Sequence, residues 1–264
     1  GLIDAVLIAT PHFFHTSMGI TALEAGLHVL VEKPISVHKA DCERLIAAHT
    51  DKTKIFAAMF NMRTNSTFKK LKDLIDSGEL GEVRRVHWEV TNWFRTNYYY
   101  ATGGWRGTWK GEGGGVLMNQ CPHNLDLFQW LFGMPQKIRG FCKFGRFHEI
   151  EVEDDVTAIM EYDNGTTATF ITSTGEAPGV NKLEISAEQG RVTVTDGTHI
   201  HFQRNRTQMS KFCMEAEAAF AMPESWHMDI PAGDAGGQHV EILQNFTNAI
   251  LNGEKLLSPA EEGI

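Results

Sequence analysis

The chain has 264 residues, 42% hydrophobic and 22% charged, an ordinary globular balance with enough apolar side chain for one large or two modest domains. A formal net charge of -9 argues against non-specific DNA or RNA binding, which relies on Lys and Arg neutralising phosphates, although helix N-termini and local cations can still hold an anionic cofactor. No apolar run approaches the roughly 18 residues of a bilayer span and no signal peptide is visible. Cys42, Cys121, Cys142 and Cys213 form neither a CxxC pair nor a disulfide framework, so reduced thiols and a cytoplasmic location are expected.

The chain opens at Gly1 almost directly into a buried-strand pattern, Ala5 to Ala9, which Thr10-Pro11 breaks. It closes on Ser258-Pro259-Ala260, a helix start with no helix after it. Truncation at both ends is the expectation. Helical spacing over His12 to Ala25 puts Phe14, Met18, Ala22 and Ala25 on one face, with Gly26 as the stop. His28 to Val31 is a second buried strand, ended by Glu32-Lys33-Pro34; Ser36 can cap a helix running to His49; Ile55 to Phe60 is a third strand. Strand, helix, strand, helix, strand with short connections predicts a parallel α/β sheet whose ligands bind beyond the carboxyl ends of its strands. Thr10-Pro11, Glu32-Lys33-Pro34 and Asn61-Met62-Arg63 sit at those ends.

The pattern changes near Arg63, dividing the chain into residues 1–63 and 64–264. A polar helix over Ser66 to Ser77 and a strand over Val83 to Phe94 come first, then an aromatic, glycine-rich loop and a helix over Gly115 to Phe132. Strands follow over Lys137 to Lys143, Val156 to Tyr162, Thr166 to Thr172, Lys182 to Ala187, Arg191 to Val194 and His199 to Gln203, with hairpin turns at Asp163-Asn164-Gly165 and Asp196-Gly197. A helix over Gly237 to Leu251 ends the pattern. The fold class is therefore α/β: a partial, parallel, doubly wound Rossmann domain followed by an α+β domain with a large, mostly antiparallel open sheet.

Lys33, at a strand's carboxyl end, either points its ammonium into the ligand crevice or forms a solvated surface pair with Glu32. Asn119, His123, Asp126 and Trp130 share one face of a helix that Pro122 should weaken or kink. They read either as an active-site device or as an amphipathic core face. Thr10-Pro11 with His12 and His15 combines a helix start with backbone NH groups that could face a ribose or the nicotinamide end of a dinucleotide. Tyr98 to Arg106 is a wall over a sugar ring, with Arg106 as donor, or equally a subunit interface. Glu153-Asp154-Asp155 reads as a solvated strand entry rather than a metal site, and no metal is expected.

Asp4 to Pro11 with His15, Ala22 to Pro34 with its Glu-Lys-Pro ending, Leu74 to Gly81, and Gly113 to Asp126 together resemble the glucose-fructose oxidoreductase / inositol dehydrogenase / rhizopine catabolism (Gfo/Idh/MocA) family, in order and spacing. The resemblance implies an enzyme binding NAD or NADP, a sugar, cyclitol or polyol substrate, and a homodimer or homotetramer built through the open sheet. It implies a catalytic pair of Lys33 and His123, with Asn119, Arg106, Trp105 and Asp126 toward substrate. Thr10, Pro11, His12, His15, Glu32, Lys33, Pro34, Met62 and Arg63 would line the cofactor. Position 119 is Asn where the family often has Asp, so Asp126 is expected to orient His123 instead. The family's GxGxxG turn lies before the strand that opens this sequence. Two alternatives stand: an NAD-dependent glycosidase on the same scaffold, and a non-catalytic dinucleotide-binding regulatory protein.

Overall fold

A computed structural model describes residues 2–233 and 236–264. It contains a three-stranded parallel sheet, ordered β1-β2-β3, and an eight-stranded sheet. β1 (Ala5–Ile8), α1 (His15–Glu24), β2 (His28–Val31), α2 (Lys39–Ala47) and β3 (Phe56–Ala58) make the first unit. After His28, β2 is apolar because both its faces are covered. Val29 and Val31 join the cluster with Ala22, Leu23 and Leu45, while Leu30 packs with Ala57, Met59, Ile242 and Phe246.

Several local readings shift. The first helix opens as a 3-10 turn at His12–Phe14, and the buried residues of α1 are His15, Thr16, Gly19, Ala22 and Leu23. Phe14 and Met18 remain exposed. A Cβ on Gly19 would lie 2.6 Å from Leu45 Cδ1, so the close approach of α1 to α2 selects this face. Ser36 does not cap α2; its hydroxyl bonds that of Thr16 at 2.6 Å, and His38 stands at the N-cap.

α3 (Ser66–Asp76), β4 (Val83–Val90), α4 (Asn97–Ala101), α5 (Val116–Asn119) and α6 (Pro122–Phe132) follow. Next come β5 (Lys137–Phe144), β6 (Glu153–Glu161), β7 (Thr167–Ser173), β8 (Asn181–Ala187), β9 (Gly190–Thr195) and β10 (His199–Asn205). α7 (Met209–Glu215), β11 (Ser225–Ile230) and α8 (His239–Asn252) complete the order. The large sheet runs β11-β10-β9-β8-β4-β7-β6-β5, antiparallel except for the β4–β7 pair. Asp196 and Gly197 both have positive φ, 53° and 66°, as a tight turn between β9 and β10 requires. Along β4, Val86, Trp88 and Val90 point into the core while His87 and Glu89 are only partly covered. Trp88 is fully buried, ringed by Phe68, Phe128 and Phe170, and its indole NH donates to Asn181 Oδ1 at 3.1 Å.

Division at residue 63 does not describe where the last segment packs. Ile242 and Phe246 of α8 lie against the small sheet, and Ser258 exchanges bonds with Ala58: Ala58 N donates to Ser258 O at 3.0 Å, and Ser258 Oγ to Ala58 O at 2.8 Å. The terminal turn thereby covers the edge of β3, which otherwise presents unpaired backbone groups. Among the described residues no helix is long and apolar enough to cross a membrane.

Candidate active site

β2 delivers Glu32-Lys33-Pro34 at the carboxyl edge of the small sheet, with a cis Lys33–Pro34 peptide. Lys33 is not part of a solvated pair. Its Nζ crosses to the other unit and donates to the backbone carbonyl of Asn119 at 2.9 Å. Burial lowers the Lys33 pKa, opposed by the charges of Glu32 and Glu112.

Pro122 breaks the predicted helix rather than kinking it. It takes the first position of α6, where its missing NH costs nothing, and Asn119 ends the separate α5. Asn119 therefore no longer shares a continuous helix face with His123, and its carbonyl, not its amide, meets Lys33. His123 lies edge-on to Phe60, with centroids 6.3 Å apart. Its pKa is pushed down to about 3, first by burial, then by Lys33 and His239, which keeps the imidazole neutral. Its Nδ1 is buried without a hydrogen-bond partner.

Asp126 does not orient His123. Arg63 Nε donates to Asp126 Oδ2 at 2.9 Å while Arg63 Nη2 meets the other carboxylate oxygen, a bidentate pair with side chains only 1% and 2% exposed. Arg63 Nη1 also donates to Leu257 O at 3.1 Å and pairs with Glu262. Arg63 and Asp126 thus clamp the start of the second unit, α6 and the C-terminal turn together, and Asp126 also lines a cavity beside Pro34 and Met118. Met62 packs against the large core, away from the expected cofactor role.

His15 is fully buried, with Nδ1 2.8 Å from Pro34 O and Nε2 2.8 Å from Thr10 O. Its ring ties the ends of β1 and β2 together instead of facing a ligand. Thr10 donates its hydroxyl to Met18 Sδ at 3.6 Å, and Pro11 precedes the turn without side-chain capping. His12 crosses the cleft, with Nδ1 3.1 Å from Glu112 O and its ring at 6.2 Å from that of Trp105.

The loop facing Lys33 is held by buried carboxylates. Glu153 accepts from Gly115 N at 2.9 Å and Leu117 N at 3.2 Å. Asp154 accepts from Arg146 N and Phe147 N, both at 2.8 Å. These residues are anchors in the interior, not a solvated strand entry, and only Asp155 pairs outward with Arg146. A Cβ on Gly115 would stand 1.9 Å from Glu153 O, so this approach requires glycine. Arg106 stacks over Tyr99 and Trp105 at 4.7 and 4.9 Å and donates to Thr102 O at 3.1 Å. Glu112, 2% exposed, accepts from Gly107 N at 2.8 Å through Oε2.

Two residues at this corner, Glu112 and His239, have no counterpart in the sequence reading, which placed Asn61 at a strand end but gave it no role. Asn61 Nδ2 lies 3.1 Å from His239 Nδ1, and His239 Nε2 lies 4.0 Å from Glu32. Nothing local links positions so distant. Glu112, a lone carboxylate before three glycines, was the one with a legible signal. Among the described residues seven buried side-chain polar atoms lack a hydrogen-bond partner, and Asn61 Oδ1, Arg106 Nε, Glu112 Oε1 and His123 Nδ1 are four of them. Buried polar groups are normally paired, so each of these atoms is a candidate contact for a polar ligand or a bound water. A separate cavity of about 540 Å³, lined by Val37, Trp109, Met118, Leu125 and Phe144, shares Pro34 but contains neither Lys33 nor His123. Its lining is mostly apolar, with Asp126 and Glu153 as carboxylates in the wall.

Residues 1–60 match the family model described as "Oxidoreductase family, NAD-binding Rossmann fold", and residues 68–193 that of the "GFO/IDH/MocA C-terminal domain". The chain is 33% identical over 167 residues to the 1-carboxy-3-chloro-3,4-dihydroxycyclohexa-1,5-diene dehydrogenase of Comamonas testosteroni, covering 63% of this chain and 41% of that protein. It is 29% identical over 194 residues to the trans-1,2-dihydrobenzene-1,2-diol dehydrogenase of Bos taurus, covering 74% and 55%. The chain thus spans roughly half the length of these relatives. Among solved structures, the WlbA dehydrogenase from Bordetella pertussis in complex with NADH and UDP-GlcNAcA superposes with a TM-score of 0.78 at 25% identity, covering 98% of this chain and 72% of that one. A levoglucosan dehydrogenase in complex with NADH and levoglucosan shares the fold, with a TM-score of 0.81 at 19% identity over 99% and 74% of the two chains.

Proposed function

The chain belongs to the Gfo/Idh/MocA oxidoreductase family, and from its site we propose that the protein carrying it is an NAD(P)-dependent dehydrogenase acting on a hydroxyl-bearing carbon of a sugar, cyclitol or related ring alcohol. The observation that carries this is Lys33, from one unit, anchored on the carbonyl of Asn119 from the other, four residues before a His123 that burial and then the Lys33 charge keep neutral. The relatives named as dehydrogenases of a dihydroxycyclohexadiene and of a dihydrobenzenediol support the substrate class.

The residues fit a nicotinamide group. The ends of β1, β2 and β3 converge at this corner, and Asn61 Oδ1 is a buried acceptor without a partner, suited to a carboxamide NH. Thr10, Pro11, His12, Glu32 and Pro34 would hold that end of the cofactor, which supplies the hydride acceptor or donor when bound. Lys33 donates to the substrate oxygen and stabilises alkoxide character, its ammonium aimed by Asn119. His123, neutral and with Nδ1 unpaired, takes the hydroxyl proton in the oxidative direction. Because Asn119 meets Lys33 through its backbone, Asn in place of Asp leaves that contact intact and gives no support to a non-catalytic reading.

Lys33→Ala is expected to lower turnover of a ring polyol by about 10²–10⁴-fold with the fold intact, followed as NADH formation and circular dichroism. Near-normal turnover removes Lys33 from the mechanism. Consumption of a glycoside without net NADH points to the glycosidase alternative. A homo-oligomer through the large sheet is part of the proposal, since Phe141 and Ile159, cross-strand neighbours of Thr157 and Arg139 on its outer face, are 63% and 41% exposed.

A further inference from the structure

Glu112 is a buried carboxylate with one oxygen in use and one idle. Oε2 accepts from Gly107 N at 2.8 Å, while Oε1 is buried without a partner. Arg106, in the same loop, is the complementary case: Nη1 is bonded to Thr102 O at 3.1 Å, the guanidinium is stacked on two rings, and Nε is buried with nothing to donate to. The two side chains sense each other's charge, yet Nε and Oε1 are not bonded to each other. The Lys33 charge also acts on Glu112, whose backbone carbonyl lies 3.1 Å from His12 Nδ1. Leaving a buried acceptor and a buried donor idle costs about 1–3 kcal/mol each, more when charged. A single hydroxyl cancels both, donating to one and accepting from the other, and a substrate hydroxyl would do so by displacing any bridging water.

We propose that Glu112 and Arg106 form a hydroxyl-reading subsite, in which a second substrate hydroxyl, beyond the one held by Lys33, donates to Glu112 Oε1 and accepts from Arg106 Nε. A carboxylate, an ether oxygen or a ketone cannot donate, so Glu112 selects a free hydroxyl at that position. The ligand class rests on the dehydrogenase reading, but the subsite does not require turnover. Burial, with the Glu153 charge, pushes the Glu112 carboxyl up, against the Gly107 amide and the Arg106 and Lys33 charges.

Crystals of the protein soaked in high concentrations of myo-inositol and of D-glucose test this directly. The expected result is a sugar hydroxyl within about 3.2 Å of both Glu112 Oε1 and Arg106 Nε. If the two side chains are closed on each other, or bridged by water alone, at saturating polyol, the proposal is overturned. In solution, E112Q keeps an oxygen for the Gly107 amide and turns the idle acceptor into a donor. It should weaken the polyol-induced thermal shift by about 10- to 100-fold in concentration. An unchanged titration in E112Q also overturns the subsite. Polyol bound at Glu112 without NADH formation upholds the subsite and refutes the dehydrogenase; NADH formation with an unaffected E112Q does the reverse.

Discussion

Replacing Asp126 with Ala should be among the most damaging single changes in the chain. The Arg63 and Asp126 side chains are 1% and 2% exposed, so solvent cannot re-solvate a stranded guanidinium. Without Asp126, Nε and Nη2 lose both acceptors, and only Leu257 O and the partly exposed Glu262 remain at Nη1. Breaking a buried pair in this way costs about 3–5 kcal/mol, whereas removing both charges together in favour of apolar groups can be nearly neutral. With a urea slope of about 3 kcal/mol/M, the midpoint should fall by roughly 1–1.7 M in Asp126→Ala. The double variant Arg63→Leu/Asp126→Leu should recover most of that loss. Urea unfolding followed by tryptophan fluorescence at pH 7 reads both. A cost below about 1 kcal/mol for Asp126→Ala, or a double variant as poor as the sum of the singles, refutes the clamp. Asp126→Asn offers a second check: a carboxylate acting on His123 would shift the pH profile of turnover, while one committed to Arg63 leaves it in place.

His123 makes stability fall on the acid side. The unfolded ring takes up a proton below about 6.5 and the folded ring stays neutral to about 3, so stability is complete above that window and declines as pH drops through it, by about 1.4 kcal/mol per unit. Between pH 7 and 5 the wild type should therefore lose about 2 kcal/mol more than His123→Asn, and equal losses in the two urea series count against the burial argument. In Gly115→Ala the new methyl meets Glu153 O, and a loss of about 1–3 kcal/mol, with Lys33 no longer anchored, should appear in thermal melts; a wild-type melt shows that the loop relaxes freely. His15→Phe strands whichever of the Thr10 and Pro34 carbonyls accepts the ring's N–H, and about 1–3 kcal/mol of stability should go with it, unless differential scanning calorimetry finds the midpoint unmoved. Phe141→Asp on the outer sheet face should shift the mass seen by light scattering toward monomer; an unchanged mass moves the interface elsewhere.

Local patterning was enough for much of the framework. The apolar run His28 to Val31 announces a strand covered on both faces, and Asp196-Gly197 announces its turn, because such signals depend only on neighbours along the chain. The same runs place Lys33 at a strand's carboxyl edge, and the Gly113 to Asp126 segment brings His123 into consideration. Local patterning misjudged the polar residues whose partners are remote. Asp126 follows His123 by three positions, yet Arg63 takes it; Glu153 and Asp154 look solvated, yet backbone NH groups from two loops enclose them. Asn61 meets His239 across most of the chain.

Apolar burial is non-directional, so periodicity alone says which face turns inward. A charge or amide is tolerated inside only when a specific partner arrives at hydrogen-bond distance, and folding alone chooses that partner. The framework was therefore written in the order of the residues, while the roles of Arg63, Asp126, Asn119 and Glu112 waited on which distant segments the packing brought beside them.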